Sequence, residues 1–223
     1  FMMRNMQVSP VDSREVHYHR PGNPLGSYTE FQIDKLFELT KDSNYLIDIH
    51  AGEFAQALHP WVPVPLVGSE ETQVASISLA RGFRVEYIEL KRDPKAIPAL
   101  CIAMAEHGIP NIWVECGKNG IPTPEHVSIN YDGVISALKT VGMLPGSPDR
   151  PDQIEISGRR YQINAGQSGV WHPAIKEGDI VDKGQFLGRL TDVFGDELET
   201  YYAPERSLVL YYWTSPAINY DRQ

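Results

Sequence analysis

The amino-acid sequence predicts an α/β fold in which a mostly parallel sheet is flanked by helices, with a small all-β domain at the C-terminus. Two observations lead to this prediction. From about residue 27 to 142, helix signals alternate with short apolar runs, which is the order typical of parallel sheets. Beyond residue 153 the helix signals stop, and β-branched and aromatic residues are punctuated by Gly and Pro.

Four helices are predicted from the residues that cap their first turns. The serine that opens SYTEFQIDKLFELTKD has a glutamate three positions on, which is the spacing of a capping box. Two of the other caps precede a proline, which suits a first helical turn because that turn needs no N–H from it. The predicted N-caps are Ser27, Ser69, Asp93 and Thr123.

Three apolar runs between these helices have the length of buried strands. They read YLIDI, RVEYIEL and IPNIWVEC. His50 directly follows the first run, and Glu115 lies at the end of the third. Ligands of open α/β sheets bind outside the carboxyl ends of strands, so the two side chains are candidates for one pocket.

A linker is predicted where Pro, Gly, Ser and Asp crowd together in LPGSPDRPDQ, residues 144–153. We therefore predict an α/β domain over residues 1–146 and a small β-barrel or sandwich over residues 151–223.

The composition is that of a soluble globular protein, with 42% hydrophobic and 22% charged residues. No apolar run approaches the roughly 20 residues that span a bilayer, and the start FMMRNMQVSP lacks the apolar core of a signal peptide. A net charge of −9 with scattered basic residues disfavours nucleic-acid binding. We expect a cytoplasmic protein that binds neither nucleic acid nor membrane. The sequence is compatible with a homo-oligomer and does not decide the oligomeric state.

The two cysteines, Cys101 and Cys116, lie in apolar stretches and are expected to be buried thiols. Two are too few for a disulfide framework or a thiolate zinc site. Cys116 follows Glu115 directly, but a thiol nucleophile needs a paired histidine, and the neighbouring sequence supplies none.

The strand-end residues are of the types that a hydrolytic zinc site uses. Such a site needs about three protein ligands, an open position for water and a carboxylate as general base. His50 would suit the ligand role and Glu115 the base. Glu53, at His-x-x-Glu spacing from His50, is a further candidate ligand. In the alternative interpretation, His50 is a hydrogen-bonded histidine at a strand end and Glu115 is a paired carboxylate.

Four motifs follow the order and spacing of a known family. They are PVDSREVHYHRPGNPLGSYTE, YLIDIHAG, IWVECGKNG, and a β-rich stretch with GDIVDKGQFLGRLTD and YYAP. Together they resemble the succinylglutamate desuccinylase/aspartoacylase family of zinc-dependent deacylases, which has a zinc carboxypeptidase-like α/β fold. The resemblance spans nearly the whole chain and implies Zn as the cofactor.

The family holds zinc with a His-x-x-Glu pair from an early loop and with a later histidine in a D-x-H motif. His50 in IDIHAG matches the later histidine, so Glu53 is then a coincidence of spacing. Residues 1–49 contain only His17 and His19, so the early pair has no match. The start at Phe1 favours a fragment that lacks its N-terminal strand and loop, and a degenerate metal site is the alternative.

The predicted substrate loop departs from the family. The family reads D-G-x-x-L-N-R-x-F-P-G, whose Asn-Arg pair helps to hold the substrate. Here DSREVHYHRPG puts His17 and Tyr18 in place of that pair and Arg20 in place of the Phe. A guanidinium holds a carboxylate bidentately and a tyrosine cannot, so an acidic substrate is disfavoured. We expect His17, Tyr18 and Arg20 to bind substrate; the alternative is a solvated loop.

The C-terminal stretch EGDIVDKGQFLGRL also resembles half of a biotinyl or lipoyl carrier domain. Such carriers display a modifiable lysine at a hairpin tip, whereas the last lysine here, Lys183, belongs to the DKGQ turn. We expect this unit to pack on the catalytic domain or to narrow its mouth.

The combined prediction is a zinc-dependent hydrolase that cleaves the amide bond of an N-acyl amino acid or a similar small acylated amine. Water on zinc, activated by Glu115, would attack the amide carbonyl. The alternative is a catalytically silent homologue that binds a small ligand or serves assembly.

Overall fold

The structure is a computed structural model that describes residues 8–16, 22–156 and 159–220. It divides into two compact units, each assembled from several segments. The first takes the described residues up to His50, Pro60–Cys116 and 123–156; the second takes Ala51–His59, Gly117–Pro122 and 159–220. The two units therefore do not correspond to one N-terminal and one C-terminal segment of the chain. The predicted domain limits, 1–146 and 151–223, stay a prediction.

Four α-helices and thirteen strands are described. The helices are α1 (Tyr28–Thr40), α2 (Glu70–Gly82), α3 (Ala99–Glu106) and α4 (Pro124–Thr140). The strands are β1 (Leu46–His50), β2 (Gln56–Leu58), β3 (Trp61–Pro65), β4 (Tyr87–Lys91), β5 (Asn111–Glu115), β6 (Ile154–Ile156), β7 (Gly169–Pro173), β8 (Ile180–Val181), β9 (Phe186–Thr191), β10 (Glu197–Tyr202), β11 (Ser207–Leu208), β12 (Tyr211–Trp213) and β13 (Ala217–Ile218).

Three of the predicted N-caps are confirmed. The hydroxyl of Ser27 accepts from the backbone N–H of Glu30, whose carboxylate accepts from the N–H of Ser27 in return. Ser69 caps α2 and Thr123 caps α4 through their side-chain oxygens. Each hydroxyl satisfies a backbone donor that the first helical turn leaves without an internal partner.

The predicted start of the third helix is wrong. Asp93 caps only a three-residue 3-10 helix, Pro94–Ala96, and α3 begins at Ala99. Pro98 lies between them, and inside a helix its ring would clash with the preceding turn and remove a hydrogen bond. None of the described helices is long and apolar enough to cross a membrane.

The first unit contains a five-stranded sheet in the order β1-β5-β3-β4-β6. The pairs β1/β5, β3/β4 and β4/β6 are parallel, and β3 runs antiparallel to β5. The predicted fold class, a mostly parallel sheet flanked by helices, is confirmed. Strand β3 was not predicted, because prolines such as Pro63 and Pro65 lack the N–H that a central strand donates. Its pairing with β5 is confined to Trp61 and Glu115.

The two faces of this sheet differ. One face packs against α2 and α4 and carries an apolar core around Val62, Val64 and Val114. Gly133 of α4 lies close to the fully buried Phe83 at the end of α2, since a Cβ at Gly133 would lie 2.2 Å from a carbon of that ring. The other face packs against α3, with a second cluster formed by Ile97, Cys101, Ile102 and Trp113.

The second unit is built from antiparallel strand pairs. Its largest sheet has the order β10-β9-β7-β13, and β8/β11 and β2/β12 form two-stranded ladders. Val181, Leu187, Ala203 and Val209 form its core. No α-helix occurs within residues 159–220, and the predicted C-terminal region of β-strands is confirmed.

Candidate active site

Two parallel strands end side by side and carry the predicted catalytic pair. In the β1/β5 ladder His50 lies opposite Glu115, and His50 Nδ1 is 3.4 Å from Glu115 Oε1. Residues opposite each other in neighbouring strands point to the same face. The structure therefore brings the two residues together, as their strand-end positions predict.

Asp48 is a third member of this site that the sequence analysis missed. It lies two residues before His50 on β1, so both side chains leave the same face of the strand. Asp48 Oδ2 is 3.1 Å from His50 Nε2. The sequence feature that could have identified Asp48 is the alternation in LIDIH, where Asp and His lie on one face of the strand and the isoleucines lie on the other. The imidazole thus lies between two carboxylates.

These carboxylates control the charge of the ring. Only 16% of the His50 side chain and 18% of the Glu115 side chain are exposed. Burial lowers the pKa of His50, but the contacts with Asp48 and Glu115 outweigh burial and raise it to about 10. The ring is therefore a cation in this arrangement near neutral pH. A metal ion bound to it would replace one of the ring protons, because metal ligands bind deprotonated.

The row that contains His50 and Glu115 continues across the sheet. Trp61 at the start of β3 lies opposite Glu115, and Tyr87 at the start of β4 lies opposite Trp61. Because β3 runs against β5, strand ends and strand starts meet at the same edge. The α3 face therefore presents a histidine, a glutamate, a tryptophan and a tyrosine in one line.

The described residues do not complete a zinc site. Among them no group of three or more His, Cys, Asp or Glu side chains could hold a metal ion. Hydrolytic zinc sites use three protein ligands, of which His50 would supply one. Residues 8–16, 22–156 and 159–220 alone therefore do not fit the whole metal site.

The other candidate residues have different outcomes. His17, Tyr18 and Arg20 lie outside the described residues, so their roles stay predictions. Glu53 belongs to the second unit, where its backbone carbonyl accepts from Gln56 N at 3.0 Å.

Cys116 is a buried thiol, as predicted. Burial, followed by the charge of Glu125, raises the pKa of Cys116 to about 11, so the thiol is protonated near neutral pH. Its sulfur lies 3.9 Å from the backbone carbonyl oxygen of His126, and the ring of His126 is hydrogen-bonded to Thr123. This environment does not favour the thiolate that a nucleophile needs.

Comparison with known proteins places this geometry in a known fold. Over 95% of this chain, the structure superposes with a TM-score of 0.84 on a succinylglutamate desuccinylase from Silicibacter sp. TM1040, at 19% identity, covering 66% of that chain. The chain has the fold of the succinylglutamate desuccinylase/aspartoacylase proteins. The predicted resemblance to them is confirmed.

Two further proteins are similar. The product-bound ectoine utilization protein EutE (DoeB) from Ruegeria pomeroyi superposes with a TM-score of 0.85 at 22% identity, over 95% of this chain and 66% of its own. An N-alpha-acetyl-L-2,4-diaminobutyric acid deacetylase from Halomonas elongata is 24% identical over 192 residues, 84% of this chain. The match spans 56% of the deacetylase's length. No family model matches the chain.

Proposed function

We propose that this chain carries the histidine and the general base of a zinc-dependent deacylase, which hydrolyses the amide bond of an N-acyl amino acid or a similar small acylated amine. The observation that carries this proposal is the His50 ring held between Asp48 and Glu115 at the ends of two adjacent strands. The name of the Halomonas elongata relative, a deacetylase of an acetylated diamino acid, supports the substrate class.

Glu115 is the proposed general base. Hydrolysis of an amide requires a group that takes a proton from water and returns one to the leaving amine. A carboxylate at a strand end can do both, and Glu115 Oε1 lies 3.4 Å from the ring of His50. The mostly buried position of Glu115 limits competition from bulk water.

His50 is the proposed metal ligand, and Asp48 is its orienting partner. Histidine ligands generally donate their second ring N–H to a carboxylate, which fixes the tautomer and the ring direction. The short contact of Nε2 with Asp48 leaves Nδ1, on the side of Glu115, as the ligand atom. Zinc would supply Lewis-acid chemistry there.

His17, Tyr18 and Arg20 are proposed to bind the substrate. Arg20 can hold a carboxylate with two parallel hydrogen bonds, which neither of the other two side chains can do. A small acylated amino acid is therefore the proposed partner. A cytoplasmic location stays a prediction from the composition.

Metal analysis of the purified protein tests the proposal. We expect about one zinc per chain, hydrolysis of at least one member of a panel of N-acyl amino acids, and loss of both in His50→Ala. His172→Ala is the matched control, because His172 is an exposed strand histidine of the second unit that contacts Thr191. A folded protein without zinc and without hydrolysis would contradict the proposal and support the silent homologue.

A further inference from the structure

Trp61 lies next to the proposed general base. It opens β3, and its Cα partner on β5 is Glu115. In an antiparallel pair, directly opposite Cβ atoms are about 4.5–5.5 Å apart and point to the same face. The indole therefore leaves the sheet beside the carboxylate proposed to act on substrate.

The indole N–H of Trp61 has no acceptor among the described residues. Trp61 is 4% exposed, and its Nε1 atom is buried without a hydrogen-bond partner. Tryptophan Nε1 only donates, and buried donors in native proteins nearly always have an acceptor. Trp171 of the second unit shows the usual situation, since its Nε1–H donates to the backbone oxygen of Trp213 at 2.9 Å.

We propose that Trp61 Nε1–H donates a hydrogen bond to a carbonyl or carboxylate oxygen of the acylated amino acid bound beside Glu115. This assignment rests on the proposed function and adds a substrate-binding residue to it. Acylated amino acids carry acceptor oxygens on both the amide and the carboxylate. A donor kept out of water discriminates strongly against analogues that lack the acceptor, because the N–H would then stay unpaired.

The variant Trp61→Phe tests the assignment, because it removes the N–H and keeps an apolar ring. We would measure kcat and KM for N-α-acetyl-L-2,4-diaminobutyric acid and for other N-acetyl amino acids, together with zinc content and melting temperature. We expect KM to rise about tenfold for the preferred substrate, as for the loss of one hydrogen bond. Zinc content should not change. The melting temperature should fall somewhat, because the smaller ring leaves a cavity at a buried position.

Trp171→Phe is the matched control, because it removes a hydrogen bond that the protein itself satisfies. It should lower the melting temperature and leave KM at the wild-type value. If Trp61→Phe does not fold, incorporation of β-(3-benzothienyl)alanine at position 61 removes the N–H while keeping the bicyclic shape.

Two results would overturn the assignment, and they are distinguishable. A wild-type KM in a folded Trp61 variant, with wild-type hydrolysis intact, would exclude the substrate contact and leave the deacylase standing. Wild-type protein that neither binds nor hydrolyses any N-acetyl amino acid of the panel would overturn the proposed function and this assignment together.

Discussion

The substitution Glu115→Gln separates a general base from a structural carboxylate. Glutamine has nearly the same shape and remains a polar side chain at the site, where Glu115 Oε1 lies 3.4 Å from His50 Nδ1, but it cannot take a proton from water. Loss of a general base lowers the rate by about 10²–10⁴, which corresponds to about 3–5 kcal/mol in the activation free energy. We expect kcat to fall by this factor.

The free energy of unfolding of Glu115→Gln should change far less than its activation free energy. In the metal-free protein the charged ring of His50 loses one of its two carboxylate contacts, a loss of about 1 kcal/mol in the free energy of unfolding. For a chain of this size that corresponds to a decrease of about 2–4 °C in melting temperature. Zinc content should stay near the wild-type value, because Glu115 is assigned to the water and not to the metal.

Three measurements on one preparation decide the question: hydrolysis of N-acyl amino acids, zinc content and melting temperature. Glu155→Gln is the matched control, since Glu155 is an exposed glutamate on β6 of the same sheet. It should leave all three unchanged. Near wild-type turnover of Glu115→Gln with normal zinc would refute the mechanism, whereas a large drop in melting temperature without a specific loss of turnover would make Glu115 structural.

Three other substitutions give further tests. Asp48→Asn should weaken zinc binding by about 10–100-fold, because it removes the carboxylate that orients His50. Competition with a chromophoric chelator measures the zinc affinity, and an unchanged affinity would contradict the orienting role. Gly133→Ala should destabilise the fold by about 1–3 kcal/mol in urea unfolding, because its methyl group would overlap the ring of Phe83, and a neutral effect would show that the helix can shift. The folded-state pKa of Cys116 is raised to about 11 from 9.0, so the stability that its protonated thiol contributes should be complete below about pH 9 and be lost as pH rises through 11. Cys116→Ala should show less of this alkaline loss when unfolding is measured against pH. Identical curves for the two proteins would contradict the raised pKa.

Local signals predicted much of the fold. Ser27, Ser69 and Thr123 were identifiable as caps because each side-chain oxygen bonds a backbone N–H only three residues away. The break at Pro98 followed from equally local geometry, but the cap at Asp93 gave a competing signal for an earlier start. Short-range chemistry therefore predicted three of the four helix starts.

Long-range pairing limited the prediction of the site. His50 and Glu115 could be placed together because parallel neighbouring strands end at the same edge. Trp61 could not be added, because its position depends on a proline-containing strand that runs in the reverse direction. The direction of β3 is set by packing against β4 and β5, which no local pattern encodes.

The antiparallel direction of β3 relative to β5 bears on how substrate recognition could change in evolution without a change in the proposed reacting residues. His50 and Glu115 close their strands, whereas Trp61 opens one, so the proposed reacting groups lie at strand ends and the proposed binding group at a strand start. Under the proposed assignment, substitutions just before β3 would alter what is recognised while the paired ends of β1 and β5 keep their register. A library that varies the residues just before Trp61 would therefore test whether acyl or amine preference can change while the proposed pair of His50 and Glu115 stays the same.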